Sequence, residues 1–157
     1  MYKRQILYRS LNCKNYFKVE NLYKFLLAEK NSFIFESVEK GTIRGRYTII
    51  GLNPDKIWEF NNNRCQILTG NKKKILIGNP KENIEKIIEE FKFETPKNLP
   101  KLCSLISGYF SYDSIRYIEK IPNNCKDDLN IPDVRLLRPR TLTVSYTHLT
   151  LPTTSKV

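Results

Sequence analysis

Val19, Leu22, Phe25 and Leu26 recur at helical spacing with lysines and glutamates between them, which predicts an amphipathic helix over 18–29, ended by Asn31 and Ser32. Residues 33–38 are a short apolar and aromatic run suited to a strand, and Glu39-Lys40-Gly41 supply a turn. Residues 46–50 and 56–60, rich in β-branched and aromatic side chains, predict two strands separated by a turn at 51–55, where Gly51, Asn53 and Pro54 fall together. Asn61-Asn62-Asn63 leads into a strand at 64–69, and Gly70-Asn71 into another ending at Ile77, which completes an antiparallel meander. In that setting Lys72-Lys73-Lys74 reads as a solvated hairpin shoulder. Asn79-Pro80-Lys81-Glu82 opens a helix: Asn caps free amides, Pro fits the first turn, and Glu82 stands where a capping box wants it. Ile84, Ile87, Ile88 and Phe91 then define the face that should lie on the sheet. A proline-containing loop over 94–100 precedes strand character at 102–112. Asp113-Ser114 can cap a short helix carrying Ile115, Tyr117 and Ile118, which Pro122 ends. The predicted class is α+β, a mostly antiparallel sheet with helices packed on one face.

Charge and cysteines narrow the function classes. The formal net charge is +11, which invites a nucleic-acid reading. Basic and acidic residues are interspersed, however, and the one tight cluster at 72–74 has no aromatics alternating with it as a stacking platform requires, so no nucleic-acid partner is expected. No apolar run reaches the length of a membrane helix and no cleavable signal pattern opens the chain, so a cytoplasmic protein without membrane contact is expected. Cys13, Cys65, Cys103 and Cys125 lack metal-ligand or redox spacing and read as reduced thiols. The sole histidine is His148, near the carboxy-terminal end.

Chemistry concentrates at one place. Glu36 and Ser37 stand at the end of a predicted strand, and Arg46 opens the next. If the two strands pair as a hairpin, an acid, a hydroxyl and a guanidinium converge beside the apolar Phe35 and Tyr47. That set suits a free amino acid: the carboxylate balances an ammonium, the hydroxyl orients, and the guanidinium reads a carboxylate. An aromatic amino acid fits the apolar remainder. Taken alone, the three residues read more readily as strand-end turn formers and an exposed strand cation. The acid pairs Glu89-Glu90 and Asp127-Asp128 read as solvated, because neighbours on a helix point apart and the second pair lies in a polar loop. No phosphate-cradling glycine string occurs. No catalytic or metal residues are expected in this chain.

Two blocks carry a family resemblance: Phe35-Glu36-Ser37 through Gly45-Arg46-Tyr47 to Gly51, and Ser107-Gly108-Tyr109-Phe110-Ser111-Tyr112-Asp113. With the run 132–140, ending Arg138-Pro139-Arg140, they resemble the amino-terminal domain of anthranilate synthase component I, over nearly all of 6–142. The resemblance implies an incomplete portion of the chorismate-utilising enzyme fold. The full-length lyase would convert chorismate and glutamine-derived ammonia to anthranilate and pyruvate in tryptophan biosynthesis, with Mg2+, a glutamine amidotransferase subunit, and a carboxy-terminal chorismate-binding domain missing here. By the same resemblance Ser37, with Glu36, lines the site where L-tryptophan binds and inhibits. Arg46 matches a basic residue near that pocket in some members. The fragment itself would not catalyse and would bind no Mg2+. The aminodeoxychorismate synthase large subunit of the folate pathway shares the domain and is the alternative within the superfamily. A stand-alone amino-acid-binding module is the alternative outside it.

The ends read as foreign to this family. Met1-Tyr2-Lys3-Arg4-Gln5 can be encoded by ATG-TAT-AAG-AGA-CAG and Val144-Ser145-Tyr146-Thr147-His148 by GTC-TCT-TAT-ACA-CAT, strings that are reverse complements over TATAAGAGAC and GTCTCTTATA. Residues 1–5 and 143–157 are therefore expected to be sequencing adapter, leaving 6–142 as the domain. Lys3, Arg4 and Lys156 are three of the 27 basic residues, so 6–142 holds 24 bases against 16 acids and stays basic.

Overall fold

Six strands, one α-helix and a short 3-10 helix are laid out along residues 7–9, 29–36, 47–91, 97 and 105–146, which are the residues the computed structural model describes. The strands are β1 (Phe33–Glu36), β2 (Tyr47–Asn61), β3 (Arg64–Thr69), β4 (Lys72–Ile77), β5 (Ser107–Phe110) and β6 (Val134–Tyr146), and the α-helix is α1 (Pro80–Phe91). They hydrogen-bond in the order β4-β3-β2-β6-β5, with β1 paired to β2. Every registered pair is antiparallel. The predicted class and the meander of β2, β3 and β4 are thus observed. The predicted helix over 18–29 lies outside the described residues. β6 runs on from 142 through Tyr146 without a break.

The chain forms two compact units, residues 1–53 with 140–157, and residues 54–139. In the second, strand alternation sorts the core. Trp58 and Phe60 of β2 stand opposite Ile67 and Cys65 of β3, and Cys65 stands opposite Leu76 of β4. With Val134 and Leu136 of β6 these side chains make one apolar face, and Ile84 and Ile87 of α1 cover it. Phe60 and Val134 are fully buried. Asn79 starts the helix as expected: its Oδ1 accepts from the Lys81 amide at 2.9 Å. Ile88, expected on the buried face, is half exposed, because the stripe that meets the sheet is the narrower one through Ile84 and Ile87. The reverse face carries Glu59, whose Oε1 meets Arg135 Nε at 3.1 Å and whose Oε2 accepts from its cross-strand neighbour Gln66 at 3.4 Å. Lys72 to Lys74 are exposed on β4, as a solvated shoulder requires.

Three local expectations need correction. The two strands expected at 46–50 and 56–60 are one: β2 runs unbroken through 51–55. Asn53 takes a left-handed conformation at φ 50, and the strand pairs with β1 over 48–51 and with β3 over 57–61. Turn-forming residues here mark a change of partner. The strand expected at 102–112 is only Ser107–Phe110 among the described residues, pinned to β6 through Gly108, where a Cβ would strike the Arg135 carbonyl. The helix after it is a 3-10 helix, Tyr112–Tyr117, with Ser111 as its N-cap; Asp113 lies inside the first turn and pairs with Arg116 at 2.9 Å. Ile118, expected in that helix, is exposed.

Candidate effector site

The hairpin on which the candidate site depends is present. Phe33 stands opposite Gly51, Ile34 opposite Ile50, Phe35 opposite Ile49, and Glu36 opposite Thr48. All belong to the first unit. Since side chains alternate, Ile34, Glu36, Thr48 and Ile50 share one face, while Phe33, Phe35 and Ile49 share the other. The first face is the covered one: Thr48 is 2% exposed and Ile50 3%. Glu36, on the same face, is exposed. Of the three residues singled out from the sequence, Glu36 is placed, whereas Ser37 and Arg46 lie outside the described residues. Phe35 is about half exposed on the opposite face, with its ring centroid 5.0 Å from that of Phe33.

Thr48 is a residue that sequence reasoning passed over. Its Oγ1 is buried and has no hydrogen-bond partner, and burial of a hydroxyl without one costs roughly 1–3 kcal/mol. It lies directly across from Glu36. A carboxylate and an unpartnered hydroxyl thus stand in register on a face otherwise formed by Ile34 and Ile50. The signal was available in the alternation of Thr48 with Ile50, which puts a polar group into an apolar row.

The second block and the arginine run hold the other unit together. Arg138 makes a two-pronged bond to Asp55, Nε to Oδ1 at 2.6 Å with Nη2 on Oδ2, and its guanidinium lies 5.7 Å from the centre of the Phe91 ring. Strand β6 is thereby tied to β2 and to the last residue of α1. Asp133 is a hub: its Oδ2 accepts from the Asn62 amide at 2.9 Å and the Tyr117 hydroxyl at 2.8 Å, while its own amide donates to Phe60 and its carbonyl accepts from Ser111. Burial, reinforced by that bond to the carboxylate, pushes the Tyr117 phenol far above its usual range, so it keeps its proton. A shallow groove of about 540 Å³ opens over Asn62, Asn79, Arg116, Tyr117 and Asp133. Arg116 spends its guanidinium on Asp113 and on the carbonyls of Ile121 and Pro122. These contacts are structural.

Among the described residues no group of three or more His, Cys, Asp or Glu side chains gathers that could hold a metal ion. The acid pairs are exposed as expected, and Glu90 meets Lys56 at 3.8 Å. Cys65 and Cys125 are free thiols, the first buried and the second exposed. No helix of the described residues is long and apolar enough to cross a membrane.

Comparison with known proteins decides the family. The chain is 34% identical over 147 residues to anthranilate synthase component 1 of Cereibacter sphaeroides, matching 90% of this chain and 29% of that protein. It is 36% identical over 130 residues to the component 1 of Acetivibrio thermocellus, matching 82% of this chain and 26% of the relative. The chain belongs to the anthranilate synthase component 1 family. A plant relative, the chloroplastic anthranilate synthase alpha subunit 1 of Oryza sativa subsp. japonica, is 33% identical over 119 residues, which is 69% of this chain and 21% of its own length. This anthranilate synthase segment thus spans between a fifth and a third of the length of these relatives. No protein-family model matches it.

Proposed function

We propose that this chain is the amino-terminal regulatory and scaffolding part of an anthranilate synthase large subunit, and that the β1–β2 hairpin supplies part of its tryptophan effector pocket. The observation that carries the reading is Glu36 in register with the buried, unpartnered hydroxyl of Thr48. Glu36 would balance the ammonium of the amino acid. Ser37 and Thr48 would supply orienting hydrogen bonds, Arg46 would read the carboxylate, and the apolar row would receive the ring. A ligand that engages Thr48 recovers the cost of its idle hydroxyl, and this favours ligands with a polar group at that depth.

The full-length protein would convert chorismate and ammonia, supplied by a glutamine amidotransferase subunit, to anthranilate and pyruvate. The reacting groups and the Mg2+ site would belong to the rest of the subunit, and no chemical step is assigned to this chain. Tryptophan bound here acts by preferring one arrangement of the subunit over another, and its differential affinity sets the size of the effect.

The test is Ser37→Ala in the intact subunit. Loss of one hydrogen bond to a charged ligand group should raise the tryptophan concentration for half-inhibition about tenfold, with turnover in the absence of tryptophan within about twofold of the parent. Anthranilate fluorescence reports both quantities. Equal inhibition of parent and variant would remove the assignment.

A further inference from the structure

The register of β1 on β2 decides whether Glu36 shares a face with Thr48, and the apolar pattern of β1 specifies that register poorly. Its sequence is Phe-Ile-Phe-Glu, apolar on both faces, so a slip of one residue would exchange Phe for Ile at little cost in burial. Such a slip would nonetheless carry Glu36 to the opposite face of the hairpin, away from Thr48. Among the described residues four pairs join the strands, and β1 is paired there with β2. Something other than hydrophobic patterning must hold the register.

Gly51 is placed to do so. It is buried, and a Cβ built on it would fall among Cε1, Cζ and Cδ1 of the Phe33 ring. The ring therefore lies in the space where every other amino acid carries a side chain. Gly51 takes no positive φ, so turn geometry does not explain the glycine; the close approach of the ring does. The neighbouring positions Ile49 and Ile50 carry branched side chains that leave no such berth for a ring in a shifted register.

We propose that Phe33 seated on Gly51 is a register lock, and that these two are positioning residues for the effector pocket, aligning Glu36 with Thr48 without touching the ligand. The proposal rests on the tryptophan reading for its functional consequence and on the hairpin alone for its structural one, so the two can fail separately. The lock predicts that the identity of an apolar pair on one face tunes ligand affinity on the other.

Three variants of the full-length subunit test it: Gly51→Ala, Phe33→Tyr, and Phe33→Leu combined with Gly51→Ala. Amide hydrogen exchange across β1 and β2 reads the register without ligand; tryptophan titration and the KM for chorismate read the function. Gly51→Ala should alter exchange protection at 33–36 and 48–51 and weaken tryptophan binding about tenfold, with the KM for chorismate held within about twofold. Phe33→Tyr, which keeps the ring, should match the parent. The double variant, which removes the ring that the methyl strikes, should bind tryptophan better than Gly51→Ala. Unchanged exchange in Gly51→Ala would overturn the lock, as would tryptophan affinity and chorismate KM failing in parallel, which is the signature of general damage. If exchange shifts as expected but the parent itself binds no tryptophan, the lock stands and the effector reading falls.

Discussion

Asp55 and Arg138 were unremarkable as isolated residues in the sequence, yet their bidentate pair, with side chains 29% and 17% exposed, ties β2 to β6. Arg138 belonged to the run that carried the resemblance; its partner 83 positions away was invisible until the strands were laid side by side. Asp55→Ala should lower stability by about 1–3 kcal/mol, since it strands a half-buried guanidinium. Arg138→Lys should recover less than half of what Arg138→Ala loses, because an ammonium offers neither the fork nor the stacking on Phe91. Urea titration of these variants measures both. Cys65 makes a prediction with a definite sign. Burial pushes its thiol up from 9.0 to about 11. Between those values the unfolded chain has lost the proton that the folded chain retains, so this contribution is intact below pH 9 and is lost as pH rises toward 11. The loss should reach roughly 1–3 kcal/mol, in the same direction as that from Tyr117, and Cys65→Ala should remove its share. Below pH 9 a thiol reagent should label Cys125 at once and Cys65 only on unfolding.

At the level of elements, local signals worked where the cause was local. The start of α1 was legible in Asn79-Pro80, since capping involves residues two positions apart, and Asn79→Ala should cost about 1 kcal/mol in thermal or urea unfolding. The two hairpins of the β2–β3–β4 meander followed from their Asn and Gly turns. The same residue types misled at 51–55, where the chain continues as one strand that pairs with one neighbour before Asn53 and another after it. A turn requires the chain to come back on itself, and only pairing partners decide whether it does. The 3-10 helix starts at Tyr112 for a comparable reason: the Ser111 amide donates to Asp133 and its carbonyl accepts from Ser114, so the turn closes one residue pair ahead of the acid expected to cap it. Of the candidate site, the pairing of β1 with β2 was the condition the sequence set, and Thr48 was not foreseen, because an unpartnered hydroxyl is defined by what surrounds it.

On the scale of the whole molecule, the unit comprising 54–139 exposes more apolar surface than its core explains. Phe110, Tyr112 and Ile118, close together in sequence, are 60, 84 and 73% exposed, and Leu129 and Ile131 follow on the next loop. Clusters of this kind mark surfaces that another body covers, and the relatives are several times longer than this segment. The chain expressed alone should bind a hydrophobic dye and self-associate, and covalent restoration of the remaining subunit should abolish both; a clean monomer without dye binding would show the core to be self-sufficient. Spacing and motif along the chain pointed to the α+β class, the meander, the capped helix and the family resemblance, because each depends on neighbours within a few residues or on a string matched as a string. Tertiary packing alone decided that two strands are one, that Arg138 meets Asp55, and that Thr48 hides an idle hydroxyl opposite Glu36. Those facts rest on which distant segments touch, and contact between distant segments is a property of the folded chain.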